Sequence, residues 1–487
     1  MDLPHSAGSW STEISWVSLD PGYPGNVTYL TAKESRLTLV MGNVGVDVDL
    51  DVEHGVPDAN YVIQETVKSI LECVKEQFHT NQLPPSIYMV HSSLRNLCPK
   101  SFNPRVVSIG PLHRDDENVK AFEGQKVTYL LRLLRHLNSP PEDTLKACAK
   151  KVKDSIDEIR ACYAGIKPYG DVEFAKMMVM DACFILEFIH HNLKSDESIS
   201  RKMLLAQSVI YDLVLLENQI PFFVLDAIFQ CTFLELYPDS TLIEFIHPLL
   251  TLVNLFETKL RIHKISTGAH FDHILGLLHE CYLPLCNILS NFSSSTVHSA
   301  VELDRAGVNF KPNRDAKSPM AIDVNLHNFP CFPWPGFKPT LRMPVLRVGH
   351  FTELVLRNLM AYEMCHRGCN YITSYAISMD MLVDTHEDIA KLVEKKVLVN
   401  NMGSNEAAAD MINSICKEVV RVNFGCDEEW KELDNYCKGY WPKNMVWLKR
   451  TYFSSPWNIV ALVAGMVLFF LTVVQTFFTI KPAGNTD

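Results

Sequence analysis

From Tyr61 onward, apolar side chains recur three and four positions apart, the spacing that lines one face of an α-helix. Ile63, Val67, Ile70, Leu71, Val74 and Phe78 form the first such stripe, with Asp58 or Asn60 placed to cap it. Phe122, Val127, Leu130, Leu131 and Leu134 predict a second helix near 119–137. Stretch 142–164 opens with Glu142 and Asp143, which suit the positive end of a helix, and repeats Leu145, Val152, Ile156 and Ile159. The same spacing predicts helices over 172–193, 201–217, 240–260, 271–290, 296–306, 352–364, 370–383, 386–397 and 405–422, with Gly403 breaking the last two apart.

Two stretches depart from this period. Between 317 and 350, prolines at 319, 330, 333, 335, 339 and 344 exclude a continuous helix, and the alternation of Ile322, Val324 and Leu326 predicts short strands or extended loops. Residues 1–57 carry Gly, Pro, Ser and Thr without helical period and read as an irregular acidic arm. Inside it Val46 to Glu53 alternates apolar and acidic residues, giving two unlike faces if extended. Its Asp-x-Asp-x-Asp start resembles a calcium loop, but Val52 stands where that loop needs Gly and Asp58 where it needs Glu, so a solvated edge strand or acidic arm is the better reading. The fold class is mainly α: an arm over 1–57, a large helical domain over 58–437 with a small Pro-rich β/loop element at 317–350, a basic connector over 438–456, one transmembrane helix over 457–480 and a short tail over 481–487.

That last helix rests on an uninterrupted apolar run. Trp457 to Ile480 is 24 residues, which as a helix covers about 36 Å against a hydrocarbon core of about 30 Å. Only Asn458 and Gln475 are strongly polar within it, and Trp457 and Ile480 mark its ends. Lys438, Lys443, Lys449 and Arg450 precede the run and Lys481 alone follows, so the positive-inside rule places the body in the cytosol as a single-pass protein of the plasma membrane or an endomembrane. The early Asp2 and the lack of a basic-then-apolar start agree, and the sequons at Asn26 and Asn291 then stay unmodified. Ala461 and Gly465 make one small-xxx-small spacing through which two copies can approach as a weak homo-oligomer.

Composition changes the picture in one respect. Among 487 residues, 45 basic and 56 acidic side chains leave a formal charge of −11, which argues against a nucleic-acid partner. The 14 cysteines are irregularly scattered, unlike a secreted disulfide framework, and are expected to be reduced and mostly buried.

No Gly-rich phosphate loop, dinucleotide fingerprint, nucleophile elbow or zincin motif is present. His279-x-Cys281-x4-Cys286, with Cys365-His366-x2-Cys369, is the nearest approach to zinc spacing, yet it sits in helix-like apolar sequence where cysteine acts as a small hydrophobe. No metal and no cofactor is expected. His190-His191 ends an apolar helix and suits its negative end. Acidic residues inside apolar runs remain: Asp181 and Glu187 in one, Glu217 beside Asn218 in another that stops at Pro221. They read either as an acid/base couple with separated pKa values or as structural groups that cap a broken helix or pair with Arg357, the second being favoured.

Ordered runs then identify a resemblance. Val106-Val107-Ser108-Ile109-Gly110-Pro111-Leu112-His113, Met177 to Glu187, Leu215 to Leu225, Ala300 to Val308, Glu353 to Glu363 (which contains Arg357 and Asn358), Tyr371 to Tyr375 and Tyr452 to Trp457 resemble the plant family known as domain of unknown function 247, from about Ile87 to Ile480. The resemblance implies a plant protein with one C-terminal span, no established catalytic residue and no known cofactor; some grass members are implicated as pollen determinants of self-incompatibility. Gly110, Pro111, His113, Glu217, Asn218, Pro221, Arg357 and Asn358 are the family-motif positions this chain carries. Leu112 replaces a common aromatic, 330–339 looks like an insertion, and the N-terminal arm lies outside the shared region. The expectation is a non-enzymatic, membrane-anchored recognition or signalling component with a protein partner; the alternative is an enzyme using Glu217 or Asp181 with a histidine such as His113.

Overall fold

The computed structural model describes residues 84–194, 203–260, 270–283, 298–314, 320–325, 339–365, 370–417, 419, 426–439 and 456–480, and before them 12–15, 29–33, 36–41, 44–49 and 63–71. The chain divides into two compact units, Met1–Gln82 and Leu83–Asp487. In the first, four strands pair in order as an antiparallel meander: β1 (Thr12–Ser15), β2 (Tyr29–Lys33), β3 (Arg36–Met41) and β4 (Val44–Asp49). Part of the arm read as irregular is therefore sheet. The alternation that begins at Val46 falls on the edge strand β4, where Val46 faces Leu39 and Asp49 faces Arg36 in register. Helix α1 (63–71) follows, but Ile63 and Ile70 are exposed rather than buried, so the periodic stripe here is not covered by described residues.

The second unit is mainly helical. Its early elements are α2 (Ser92–Leu97), a short 3₁₀ turn at Pro99–Ser101, α3 (Glu117–Lys120), α4 (Glu123–His136), α5 (Pro141–Asp154) and α6 (Ile156–Ala161). Pro141 starts α5 where its missing N–H costs nothing, and the 142–164 stripe breaks at Ser155. Helix α7 (Asp171–Ile189) is buried on nearly every side and packs against α4, α5 and α9 (Phe222–Cys231). Its exit is one π-helical segment, His190–Lys194. Helix α9 and the acidic α17 (Asp427–Lys438) were not predicted. Phe222 to Cys231 is apolar almost all round, so it shows no amphipathic stripe to find.

Helix α8 (Met203–Asp212) stops five residues short of the predicted end, and Leu213 to Ile220 continues as buried turns. Helices α10 (Leu242–Leu252) and α12 (Ala300–Ala306) each begin with a capping box, at Thr241 and Glu244 and at Ser299 and Glu302. Between them lies α11 (Ile274–Tyr282). Helices α13 (Thr352–Cys365), α14 (Tyr371–Leu382), α15 (His386–Glu394) and α16 (Asn405–Ile415) complete the body.

Two small sheets flank the proline-rich stretch. Strands β5 (Asn309–Pro312), β6 (Asp323–Asn325) and β7 (Thr340–Met343) order as β5-β7-β6, and β8 (Leu346–Val348) pairs in parallel with β9 (Leu398–Asn400). Residues 326–338 and 440–455, and with them Lys443, Lys449 and Arg450, lie outside the described residues. Helix α18 (Pro456–Ile480) is long and apolar enough over Trp457–Phe477 to cross a bilayer. Ala461, Gly465 and Gln475 are exposed on it and Trp457 is 80% exposed. Its threonine hydroxyls donate back to the carbonyls one turn earlier, Thr472 to Leu468 and Thr476 to Thr472, so they carry no unmet donor.

Candidate functional site

Three of the family-motif side chains, Glu217, Asn218 and Asn358, reach the irregular backbone between Val90 and His113, and a fourth acid, Asp212, joins them there. Asp212, the last residue of α8, receives the amides of Arg105 (2.9 Å), Val106 (2.7 Å) and Val107 (3.0 Å) on its buried carboxylate. Burial raises its pKa and those amides oppose the rise. Asn218 accepts from the Ile109 amide at 2.6 Å and donates to the carbonyls of Val107 and Asp212. Gln219 holds its own turn through the carbonyls of Leu213 and Leu215. A loop with no ladder of its own thus has its backbone groups met by side chains from one helix end and the turn after it.

Gly110 shows why the loop needs its residue types. Its φ is +72°, and a Cβ there would stand 2.6 Å from the Gln219 carbonyl oxygen and 3.1 Å from the Tyr163 hydroxyl. The Gly110 amide donates to Asp181 at 2.8 Å. The other Asp181 oxygen accepts from Lys126 at 2.5 Å, and Lys126 also donates to the Ser108 carbonyl. Both side chains are fully buried. Burial raises the Asp181 pKa against the opposing charge of Lys126. Pro111 accepts a hydrogen bond from the Tyr169 hydroxyl, and Pro221 caps α9.

Glu217 forms a second ionic knot. One oxygen accepts from the Val90 amide at 2.7 Å and pairs with Arg95; the other lies 2.9 Å from His113 Nε2. His113 Nδ1 meets Asp116 at 2.7 Å. Burial alone would lower the His113 pKa, but its bonds to Glu217 and Asp116 outweigh burial and raise it. Asn358 on α13 accepts from the Leu216 amide at 2.8 Å and donates to the carbonyls of Ser101 and Leu354.

Several expectations are corrected by this geometry. Arg357 does not serve Glu217 or Asp181: it pairs with Glu353 at 2.9 Å, one turn away on α13, and reaches the Ser414 carbonyl. Asp181 and Glu217 do not act on one another; each has its own cation and backbone amide. Glu217 and His113 do meet, with both imidazole nitrogens and both carboxylate oxygens engaged. Sequence reasoning missed Asp212, Lys126 and Arg95. Asp212 had a signal, an acid closing an apolar stripe, whereas Lys126 looks like any solvated helix lysine until α7 is placed against it.

Glu187, on the same helix as Asp181, has a different setting. It is fully buried, and its two oxygens find no hydrogen-bond partner among the described residues, although His136 Nε2 comes within 3.4 Å. Burial pushes its pKa up to about 8, with Arg132 opposing. The His190 ring lies 5.1 Å from that of His136, its Nδ1 is 3.0 Å from the Tyr237 hydroxyl, and burial lowers its pKa. A carboxyl group that holds its proton near neutrality beside an imidazole can donate and recover a proton.

His279 bonds Glu363 at 3.0 Å, while Glu363 also receives two amides in the first turn of α14, from Ile372 and Thr373. Cys281 of the zinc-like spacing is a free, buried thiol on α11 and Cys365 ends α13, whereas Cys286, His366 and Cys369 lie outside the described residues, as do Asn26 and Asn291. Among the described residues no group of three or more His, Cys, Asp or Glu is arranged to hold a metal ion.

Comparison with known proteins places this architecture. The family described as "Plant protein of unknown function" (DUF247) matches residues 87–471, and the chain belongs to that family. It is similar to the UPF0481 protein At3g47200 of Arabidopsis thaliana, 28% identical over 425 residues covering 80% of this chain and 85% of the relative. It is also similar to the putative UPF0481 protein At3g02645 of the same plant, 24% identical over 524 aligned positions covering 87% of this chain and 95% of the relative. No solved structure matches.

Proposed function

We propose that this family member is a membrane-tethered recognition or signalling component, held in the bilayer by α18 and presenting its cytosolic helical body to another protein. The observation that carries the reading is the inward use of the family motif. Asp181, Glu217, Asn218 and Asn358 are fully buried and bonded to backbone amides of other segments, Gly110 among them, which supports a role in fixing the body's shape. A scaffold made rigid in this way leaves its outer surface to make specific contacts. The family resemblance to grass self-incompatibility determinants points to the same kind of role. Proximity labelling from the full chain in plant cells should enrich a defined protein set over a soluble control; equal labelling in both would end the proposal. Protease treatment of intact vesicles should digest the body, and its protection would reverse the orientation.

One observation favours a second reading, an enzyme with an acid–base site. Glu187, buried and unbonded with its pKa near 8, stands beside His136. If so, turnover of some compound in a plant metabolite extract should depend on Glu187 and survive Asp226→Asn, a change on the half-buried Asp226 of α9. Identical consumption by wild type and Glu187→Gln would remove this reading.

A further inference from the structure

The polar and the small residues of α18 are not spread around it. Its polar side chains are Asn458, Thr472, Gln475, Thr476 and Thr479, and its small ones are Ala461, Ala464 and Gly465. At 3.6 residues per turn all of them fall within an arc of about 120°. Between Asn458 and Thr479 the one large side chain on that arc is Leu468, and the rest of the circumference is Val, Leu, Ile, Met and Phe. From Ala461 through Gly465, Leu468, Thr472 and Gln475 to Thr479 the steps run four, three, four, three and four. That is the seam of a left-handed helix pair continued over the length of the span, not one isolated small-xxx-small contact.

A second observation concerns hydrogen bonds. Thr472, Thr476 and Thr479 each donate to the carbonyl one turn earlier, so their hydroxyl oxygens remain as acceptors. The Gln475 side-chain amide differs: it makes no hydrogen bond to any described residue. Phe477 follows it within the apolar run, and none of the window Trp457–Phe477 is covered by the body. In hydrocarbon an unpaired amide is costly, and burial against a second helix is the way to meet it.

We propose that α18 is the interface of a parallel, two-fold homodimer, in which the seam from Ala461 to Thr479 packs on the same seam of a second copy. This deepens the membrane-tether reading and rests on it. The occupant is a second copy because the seam is self-complementary. An amide is donor and acceptor at once, so Gln475 and the partner's Gln475 at the same depth satisfy each other, Nε2 to Oε1. The seam carries no charge to repel its copy. Ala461, Ala464 and Gly465 let the two backbones close on the half nearer the body, and the threonine oxygens accept on the other half. Two bodies held side by side would engage a paired partner with two contacts in place of one.

The test places the purified full chain in phosphatidylcholine vesicles, with a donor or an acceptor fluorescent protein fused after Asp487. Energy transfer should saturate with acceptor fraction in excess lipid and fall when unlabelled chain is added. Gln475→Leu should require about tenfold more protein per lipid for the same transfer. Gly465→Ile should weaken association at least as much, and Val474→Leu, on the opposite face, should leave it unchanged. Transfer no greater than random proximity in wild type overturns the proposal and hands the seam to another protein's span. Equal behaviour of Gln475→Leu and Val474→Leu overturns it too, because the contact is then made by the small residues alone. Carbonate treatment of the same vesicles separates the two readings. Release of the wild-type chain ends the membrane tether and the dimer together, whereas monomers retained in the pellet end the dimer only.

Discussion

Glu187 and His113 show how far the surroundings of single side chains move their chemistry, and the two respond to pH for different reasons. The folded Glu187 keeps its proton up to about pH 8, whereas the unfolded chain releases it near the ordinary value of 4.5. The stability this contributes is present below about 4.5 and is lost as pH rises towards 8. Glu187→Gln removes that dependence. The melting temperature of the variant should therefore gain on wild type steadily between pH 5 and 8, by the equivalent of a few kcal/mol at most. A constant difference across that range would show that Glu187 ionises normally. His113 is raised by its two carboxylates, so its contribution too is complete below its ordinary pKa of 6.5 and fades as pH rises through the folded value. At this scale the sequence revealed the anomaly, acids inside apolar runs, but not the partner. Lys126, Arg95 and His136 come from other elements, and no spacing along the chain encodes them.

Elements are where the apolar period spoke most clearly and where side chains redirected it. The stripes at 119–137, 172–193, 370–383 and 386–397 became helices close to those limits because each has an apolar face to cover. The stripe over 201–217 failed at Asp212 because that carboxylate accepts three amides of the 105–107 backbone and the chain turns instead of continuing. Asp212→Ala should cost the body about 3 kcal/mol or more, since three buried amides lose their acceptor together. Thr241→Ala, which breaks the exposed capping box of α10, should cost only about 1 kcal/mol. Denaturant midpoints of the two variants in the same detergent would compare them, and equal losses would show that the Asp212 bonds contribute no more than a surface cap.

For the whole molecule, α18 stands apart from the body by composition and by exposure. Deleting residues 456–480 should move the protein from the carbonate-resistant membrane pellet to the supernatant with the body's melting profile unchanged. Retention in the pellet would locate the membrane contact elsewhere. The body's ionic network is less divisible, because its groups belong to contacts between segments far apart in the chain. Glu217 reaches back to Val90, Arg95 and His113, and Asn358 joins Leu216 to Ser101.

By itself the sequence determined the helical class, the apolar C-terminal helix and the identity of the motif residues, all of which depend on local period, length and residue type. Only the tertiary structure decided what the motif residues do and that Arg357 serves Glu353 and not Glu217. The physical reason is that hydrogen bonds and ion pairs in a buried core act over a few ångströms, and those few ångströms are set by how helices pack.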